Sequence, residues 1–192
     1  QGMPQVSRLF LALCAIVIPL FAAGCGYRFQ SAHNPLLDLG IRKIYVAEFR
    51  NKTYRPGIEH FFTTAMIREI AHSKSFELTS SKADADAVLS GEVSSAEDSV
   101  NATSNVMVGD RPVAIASEYN ARVSCSITLT DRRGRKIFNH AVSGNKSHPG
   151  SGTLGDAGAT APLNNDSEQR LAVQFLAGEM MASAYQRMID TF

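Results

Sequence analysis

The segment from Tyr119 to Thr130 alternates between apolar and polar side chains without an exception. A period of two residues predicts a long β-strand with one face in a hydrophobic core and the other in water. The turn sequence Asp131-Arg132-Arg133-Gly134 follows at once, and residues 136–144 are typical of an antiparallel partner strand. The chain must therefore contain a β-hairpin with an apolar face that needs a covering layer. The residues predicted for this face are Tyr119, Ala121, Val123, Cys125, Ile127 and Leu129.

Two segments have the spacing of amphipathic helices, with apolar residues three and four positions apart. The first follows Pro56-Gly57 and should end near Ser73. The second should begin at Asp166, with Gln169 placed three residues on, as in a capping box. Either helix can cover the apolar face of the hairpin. Their predicted buried stripes are Ile58, Phe61, Phe62, Ala65, Met66 and Ile70 in the first helix, and Val173, Leu176, Met180, Ala184, Met188 and Phe192 in the second.

Three further segments are strand candidates: residues 41–49, which are apolar on both sides and predict a central strand, residues 76–79 and residues 87–93. Residues 94–111 are polar with a turn at Gly109-Asp110, and residues 145–165 predict a loop without secondary structure. The element order is then β-α-β-β-β-β-α. It predicts an α+β fold, a two-layer sandwich of two helices on one face of a mixed or antiparallel sheet of about four strands.

The apolar stretch Leu9–Phe21 ends in Ala22-Ala23-Gly24-Cys25. It is too short to cross a membrane, and its ending is typical of a bacterial lipoprotein signal peptide that is cut before Cys25. The alternative is an ordinary secreted protein cut nearby, which would leave Cys25 as a free, exposed thiol. We predict a signal peptide over residues 1–24, a lipidated tether over 25–40 and a single domain over 41–192. Cys25 would carry a diacylglycerol and an N-acyl chain, with no other cofactor.

Charge excludes one class of partner. The chain has 19 Lys and Arg residues and 18 Asp and Glu residues, and loss of residues 1–24 would remove only Arg8, which leaves 18 of each. A net charge of zero lacks the summed positive field that nucleic-acid binding needs. We therefore expect no nucleic-acid partner.

No catalytic or metal site is recognisable in the sequence. The five histidines are scattered, and His60 and His72 are too far apart for the i, i+4 pair of a helical zinc site, so each histidine is expected at the surface or at a helix end. Residues 150–155 match G-x-G-x-x-G, but Pro149 precedes them and no strand leads directly into a helix there. No G-x-S-x-G or H-E-x-x-H motif is present. We expect a protein that is not an enzyme, with no catalytic residue and no metal.

Three segments, taken in order, resemble the lipopolysaccharide-assembly lipoprotein family, LptE. They are Cys25-Gly26-Tyr27-Arg28-Phe29, the passage from Ile44 to Thr53 that leads into Pro56-Gly57-Ile58-Glu59, and residues 83–91, which read Ala-Asp-Ala-Asp-Ala-Val-Leu-Ser-Gly. The resemblance implies two helices on a small sheet, held on the periplasmic side of the outer membrane by a lipid anchor. It implies a plug in the lumen of the lipopolysaccharide translocon, an LptD-type β-barrel. It also implies help in the folding of that barrel and contact with lipopolysaccharide.

Two basic groups are candidates for contact with the phosphates of lipopolysaccharide, since guanidinium groups bind phosphate oxygens through paired donors. The alternative is that both are ordinary solvated turns. The hairpin end near Arg133 and Gly134 and the segment 145–165 are the parts expected to reach into the lumen. The first group comprises Arg132, Arg133, Arg135 and Lys136, and the second comprises Arg50, Lys52 and Arg55.

A second family assignment stays open. The strand Ile44–Phe49 followed by Arg-Asn-Lys-Thr also resembles periplasmic lipoproteins that activate a cell-wall synthase or form curli-type secretion channels. Such a protein would be a regulator or a pore, not a plug. A periplasmic enzyme is a third possibility, for which the sequence offers no recognisable site.

Overall fold

The computed structural model describes residues 34–108, 110–150 and 161–191. The predicted signal peptide, Cys25 and the first part of the tether lie outside the described residues. Nine elements are described: α1 (Pro35–Asp38), β1 (Lys43–Val46), β2 (Arg50–Asn51), α2 (Ile58–Ser73), β3 (Glu77–Leu78), β4 (Ala87–Val108), β5 (Arg111–Asp131), β6 (Lys136–Pro149) and α3 (Ala161–Asp190).

The strands form one mixed sheet in the order β3-β1-β4-β5-β6, with β2 pairing with β4 as well. Strand β1 is parallel to β3 and β4, and β2 is parallel to β4, whereas β5 is antiparallel to both β4 and β6. The predicted α+β class is confirmed. The sheet has six strands where about four were expected. The strand predicted over residues 41–49 is β1, and it lies inside the sheet between β3 and β4, as expected.

Helices α2 and α3 pack on the apolar face of the sheet. Along β5 the buried residues are the alternate ones from Ala121 to Leu129, as the period of two predicts. Full burial of an apolar side chain contributes about 1.5–3 kcal/mol, so this layer is the main source of stability. The largest fully buried side chains include Phe62, Ile44, Met66, Leu89, Leu129, Leu176 and Met181.

Helix α1 belongs to the predicted tether, and it packs on the domain. Asn34 caps it, because its Oδ1 accepts a hydrogen bond from the Leu36 N–H at 3.2 Å. Leu36 is fully buried in the core, whereas Leu37 and Leu39 remain exposed. The start of the described chain is therefore held against the sheet.

The strand predicted over residues 87–93 is longer than expected, because residues 94–108 continue β4. These residues form a strand by pairing with β5 and not by burying an apolar face. The register shifts between Val93 and Ser95 and between Val100 and Ala102 also break any alternation. Only the connection at 109–110 remains as the predicted turn, of which Asp110 is described.

The prediction of one long loop over 145–165 was wrong. Residues 145–149 complete β6, where they pair with β5, and α3 begins at Ala161. Pro162 in the first turn is compatible with this earlier start, since the first helical amide groups need no partner within the helix. Asp166 is then inside the helix and is not its cap. Its carboxylate accepts a hydrogen bond from the Arg170 side chain at 2.8 Å.

Cys125 is buried, with 2 % of its surface exposed, as its place in the strand pattern predicts. Burial raises the pKa of its thiol to about 12, so the reactive thiolate is scarce at neutral pH. In a Cys14→Ser/Cys25→Ser variant, where Cys125 is the only thiol, we expect slow reaction with Ellman's reagent in the folded state. Complete reaction should follow unfolding in guanidinium. Rapid labelling of the folded protein would mean that β5 has the opposite register.

Candidate functional site

The turn between β5 and β6 is held by Asp131. Its Oδ1 accepts hydrogen bonds from the backbone N–H groups of Arg133 and Arg135, both at 2.9 Å. These bonds hold the pKa of the Asp131 carboxyl below its usual value, and the bond from Arg135 has the larger effect. Gly134 completes the turn with a φ of +80°, which glycine adopts without the steric penalty of a side chain. The turn is therefore a defined platform for its four basic residues.

The four cations of this turn differ in their partners. The Arg132 Nε donates to the Ala85 carbonyl at 2.7 Å, and its Nη2 lies 3.4 Å from Asp86 Oδ1. The Arg135 Nε lies 3.1 Å from Asp131 Oδ2. Arg133 and Lys136 are exposed, and within the described part of the chain neither side chain has an ion pair. These two are the cations with the most freedom to bind an external anion.

Asp86 joins this turn to the start of β1. Its Oδ2 accepts hydrogen bonds from the backbone N–H groups of Lys43 and Arg42 at 2.9 and 3.0 Å, and these bonds lower the pKa of its carboxyl. A surface cavity of about 330 Å³ lies here, and residues from Leu39 to Ile41 line it together with Arg133 and Arg135. We call this end of the domain, defined by α1, Asp86 and the turn Asp131–Lys136, the basal end.

The second predicted basic group lies elsewhere. Lys52 Nζ is 2.8 Å from Glu92 Oε1, and the Arg55 Nε donates to the Ala96 carbonyl at 3.3 Å, while Arg50 is exposed. On β4, Ala96 lies nine residues after Ala87, which pairs with Asp131 of the first basic group. Nine strand residues span about 30 Å. The structure therefore does not bring the two predicted basic groups together.

Arg55 lines a cleft that the sequence did not indicate. The cleft has a volume of about 170 Å³ and lies between the first turns of α2 and residues 166–173 of α3. Its walls include the apolar side chains of Phe61 and Val173 and the paired side chains Asp166 and Arg170. Sequence reasoning missed it because the two helices are far apart in the chain.

His148 was expected at the surface and is buried, with 5 % exposed. Its Nε2 lies 3.1 Å from Asp98 Oδ1, and Gln169 Nε2 donates to the other Asp98 oxygen at 2.7 Å. The Tyr119 ring stacks on the imidazole at 5.6 Å. Its Nδ1 lies 3.3 Å from the Pro149 carbonyl oxygen, so both ring nitrogens have protein partners. The cluster ties β4, β6 and α3 together.

The face of the sheet opposite α2 and α3 carries short polar side chains. They are partly or fully exposed, and the charged residues among them are Arg50, Glu92, Glu97 and Arg122. Lys52 pairs with Glu92, one of the charged residues of this face. Such a surface can form many neutral hydrogen bonds. This polar face comprises Arg50, Ser90, Glu92, Ser95, Glu97, Ser99, Asn120, Arg122, Ser124, Ser126, Thr128, Thr130, Asn139, Ser143, Asn145 and Ser147.

Two further results concern the described residues only. None of their helices has both the length and the apolar character needed to cross a membrane. They also include no group of three or more His, Cys, Asp or Glu side chains that could hold a metal ion.

Comparison with known families gives one match. The family model LptE, described as lipopolysaccharide-assembly, matches residues 41–188, which is well over half of the chain. No curated protein matches the sequence.

Several solved structures have a similar fold at low identity. A PelC dodecamer from Paraburkholderia phytofirmans is 16 % identical, with 73 % of this chain and 83 % of that chain covered and a TM-score of 0.43. The hypothetical protein CT253 from Chlamydia trachomatis is 11 % identical, with 79 % and 99 % covered and a TM-score of 0.47. A minor lipoprotein from Acinetobacter baumannii is 13 % identical, with 79 % and 92 % covered and a TM-score of 0.44. These scores are too low to carry a functional argument.

Proposed function

Since this chain belongs to the LptE lipopolysaccharide-assembly family, we propose that it is a lipoprotein of the outer membrane that plugs an LptD-type translocon β-barrel and helps it to assemble. The observation that carries the proposal is the family match over nearly all of the described domain. In this function the domain occupies the barrel lumen from the periplasmic side and contacts lipopolysaccharide on its way to the outer leaflet. The protein acts by binding and needs no catalytic group.

The polar face of the sheet supports the plug. The interior of a large outer-membrane barrel is polar, so a surface that fills it must replace the hydrogen bonds of water. Ser, Thr and Asn side chains both donate and accept hydrogen bonds, and their short length permits close approach. Most of the groups that would lose water in this contact are neutral, and burying a neutral group that finds a hydrogen bond costs far less than burying a charge.

Contact with lipopolysaccharide is assigned to Arg133 and Lys136 at the basal end. Both are exposed cations without an ion pair in the described residues, and hydrogen bonds to Asp131 hold the backbone of the turn that carries them. A phosphate group of lipopolysaccharide can accept charge-assisted hydrogen bonds from both. Arg132 and Arg135 would first have to leave Asp86 and Asp131.

The contact is tested by reversing these two charges. We expect the Arg133→Glu/Lys136→Glu variant of the full chain to bind immobilised lipopolysaccharide at least about tenfold more weakly, because two charge-assisted bonds become repulsive. The loss should shrink as salt is added. Stability should change by under about 0.5 kcal/mol per substitution, since both side chains are exposed.

The matched control is Arg68→Glu/Arg187→Glu, which makes the same change of charge at two exposed helix positions. It should retain lipopolysaccharide binding. Equal binding by the Arg133→Glu/Lys136→Glu variant and the unchanged protein would refute the assignment. An equal loss in the control would show that only net charge matters.

A further inference from the structure

Strands β4 and β5 continue together beyond the rest of the sheet. Strand β6 ends at Pro149, opposite Glu118, and β2 pairs with β4 only as far as Val93. Residues 103–108 of β4 and 111–116 of β5 therefore pair only with each other. We call this two-stranded ribbon, residues 103–116, the arm. Six strand residues extend about 20 Å.

The arm exposes apolar side chains. Met107 and Val113 are 57 % and 41 % exposed, and Val100, just before the arm, is 54 % exposed. The charged residues of the arm are Asp110 and Arg111, which both lie at its tip, so its flanks are uncharged. An isolated two-stranded hairpin is marginally stable in water, and soluble proteins commonly protect exposed strand edges with charged side chains. The composition of the arm therefore fits a surface that a partner covers.

The backbone of the arm excludes lipid as that partner. Both of its edges leave N–H and C=O groups without a neighbouring strand, and these groups find no hydrogen-bond partner in hydrocarbon. Its edges are also poor templates for a second copy of the chain. The register shifts on both sides of Ala102 interrupt β4, and Pro112 removes a backbone donor from β5.

The arm points away from the basal end. Asp131 at the basal end and Glu118 beside the arm are thirteen residues apart on β5, about 40 Å of strand. The described chain begins at Asn34, and α1 packs beside the basal end. Cys25 is nine residues before Asn34, a span of at most about 30 Å. A lipid anchor on Cys25 would thus hold the basal end near the membrane surface and leave the arm as the far end.

We propose that the arm, and not the hairpin end near Arg133 expected from the sequence, is the leading end of the plug and lies against the inward-facing wall of the translocon barrel. This inference rests on the proposed function. Uncharged polar and apolar side chains on the flanks contact the uncharged part of the lumen wall, and water in the lumen satisfies the backbone edges.

Shortening the arm tests this inference. Val100 and Tyr119 are direct partners across β4 and β5, so residues 101–118 can be replaced by Asn-Gly, a two-residue hairpin loop. The full-length chain with this change should fold with the same helix and strand signals in circular dichroism. When extracted in detergent, it should retain the barrel, identified by mass spectrometry, at least about tenfold less than the intact chain does, a loss of about 1.4 kcal/mol or more.

Photo-crosslinking provides a second measurement that leaves the arm intact. A benzophenone amino acid at Met107 or Val113 should crosslink to inward-facing residues of the barrel strands. The same probe at Leu39, an exposed residue of the basal end, is the matched control and should give no crosslink inside the barrel.

The outcomes separate the two proposals. If the intact chain retains no barrel, the proposed function fails. If the intact and shortened chains retain the barrel equally, only the arm inference fails. If the shortened chain does not fold, the crosslinking experiment decides. The arm inference is refuted if probes at Met107 and Val113 give no crosslink to the barrel. It is also refuted if they crosslink to a second copy of the chain.

Discussion

Replacement of Cys25 by serine is expected to abolish palmitate incorporation and to move the protein from the membrane fraction to the soluble fraction. The reason is the short apolar segment Leu9–Phe21, which ends in small residues directly before this cysteine. One acyl chain holds a protein to a membrane only marginally, whereas several chains hold it firmly. Loss of the acceptor thiol removes all of them at once. The measurement is labelling with radioactive palmitate, followed by separation of membranes by ultracentrifugation.

Cys125→Ser is the matched control, since it changes the same side chain at a position buried in the sheet. It should keep both the label and the membrane association. A Cys25→Ser protein that still incorporated palmitate would show that the lipid is attached elsewhere or that the N-terminal segment has another role.

The sequence predicted the elements in which side-chain burial and secondary structure coincide. The alternation of β5, the apolar stripe of α2 and the turn Asp131–Gly134 were all found. In these segments the residues that face the core recur with the period of the strand or the helix, so the pattern records the fold directly.

Other elements show no such periodic pattern of apolar residues. The second half of β4 and residues 145–149 of β6 are strands because β5 pairs with their backbones, and their side chains are mostly small and polar. The start of α3 lies in a segment rich in Gly, Ala and Pro, where no apolar stripe marks a helix. Backbone pairing across the sheet is not visible in the composition of one strand, and this is why the arm was missed.

The candidate site was predictable in residue type but not in arrangement. The sequence shows four basic residues at one turn, but not that Asp86 and Asp131 engage Arg132 and Arg135. It also gives no sign that Asp98 on β4 binds His148, or that Gln169 on α3 donates to the same carboxylate. Such pairs form only when distant segments fold together.

Depletion of this lipoprotein is expected to reduce the amount of correctly assembled translocon barrel in the outer membrane. A barrel that folds around a plug loses the hydrogen bonds of its lumen wall when the plug is missing. A loss of about 1.4 kcal/mol or more in the assembled state would lower its amount about tenfold or more. Less lipopolysaccharide would then reach the outer leaflet, and large hydrophobic antibiotics should enter the cells more readily.

The amount of folded barrel in depleted cells is therefore the most direct test of the assignment to lipopolysaccharide assembly. Folded barrel can be measured in isolated outer membranes by its mobility in electrophoresis before and after heating. We predict a loss of the folded form with a parallel rise in antibiotic entry, and recovery of both when the full chain is expressed again. Unchanged folded barrel and unchanged permeability, together with reduced cell-wall synthesis, would contradict the account and favour an activator of a cell-wall synthase.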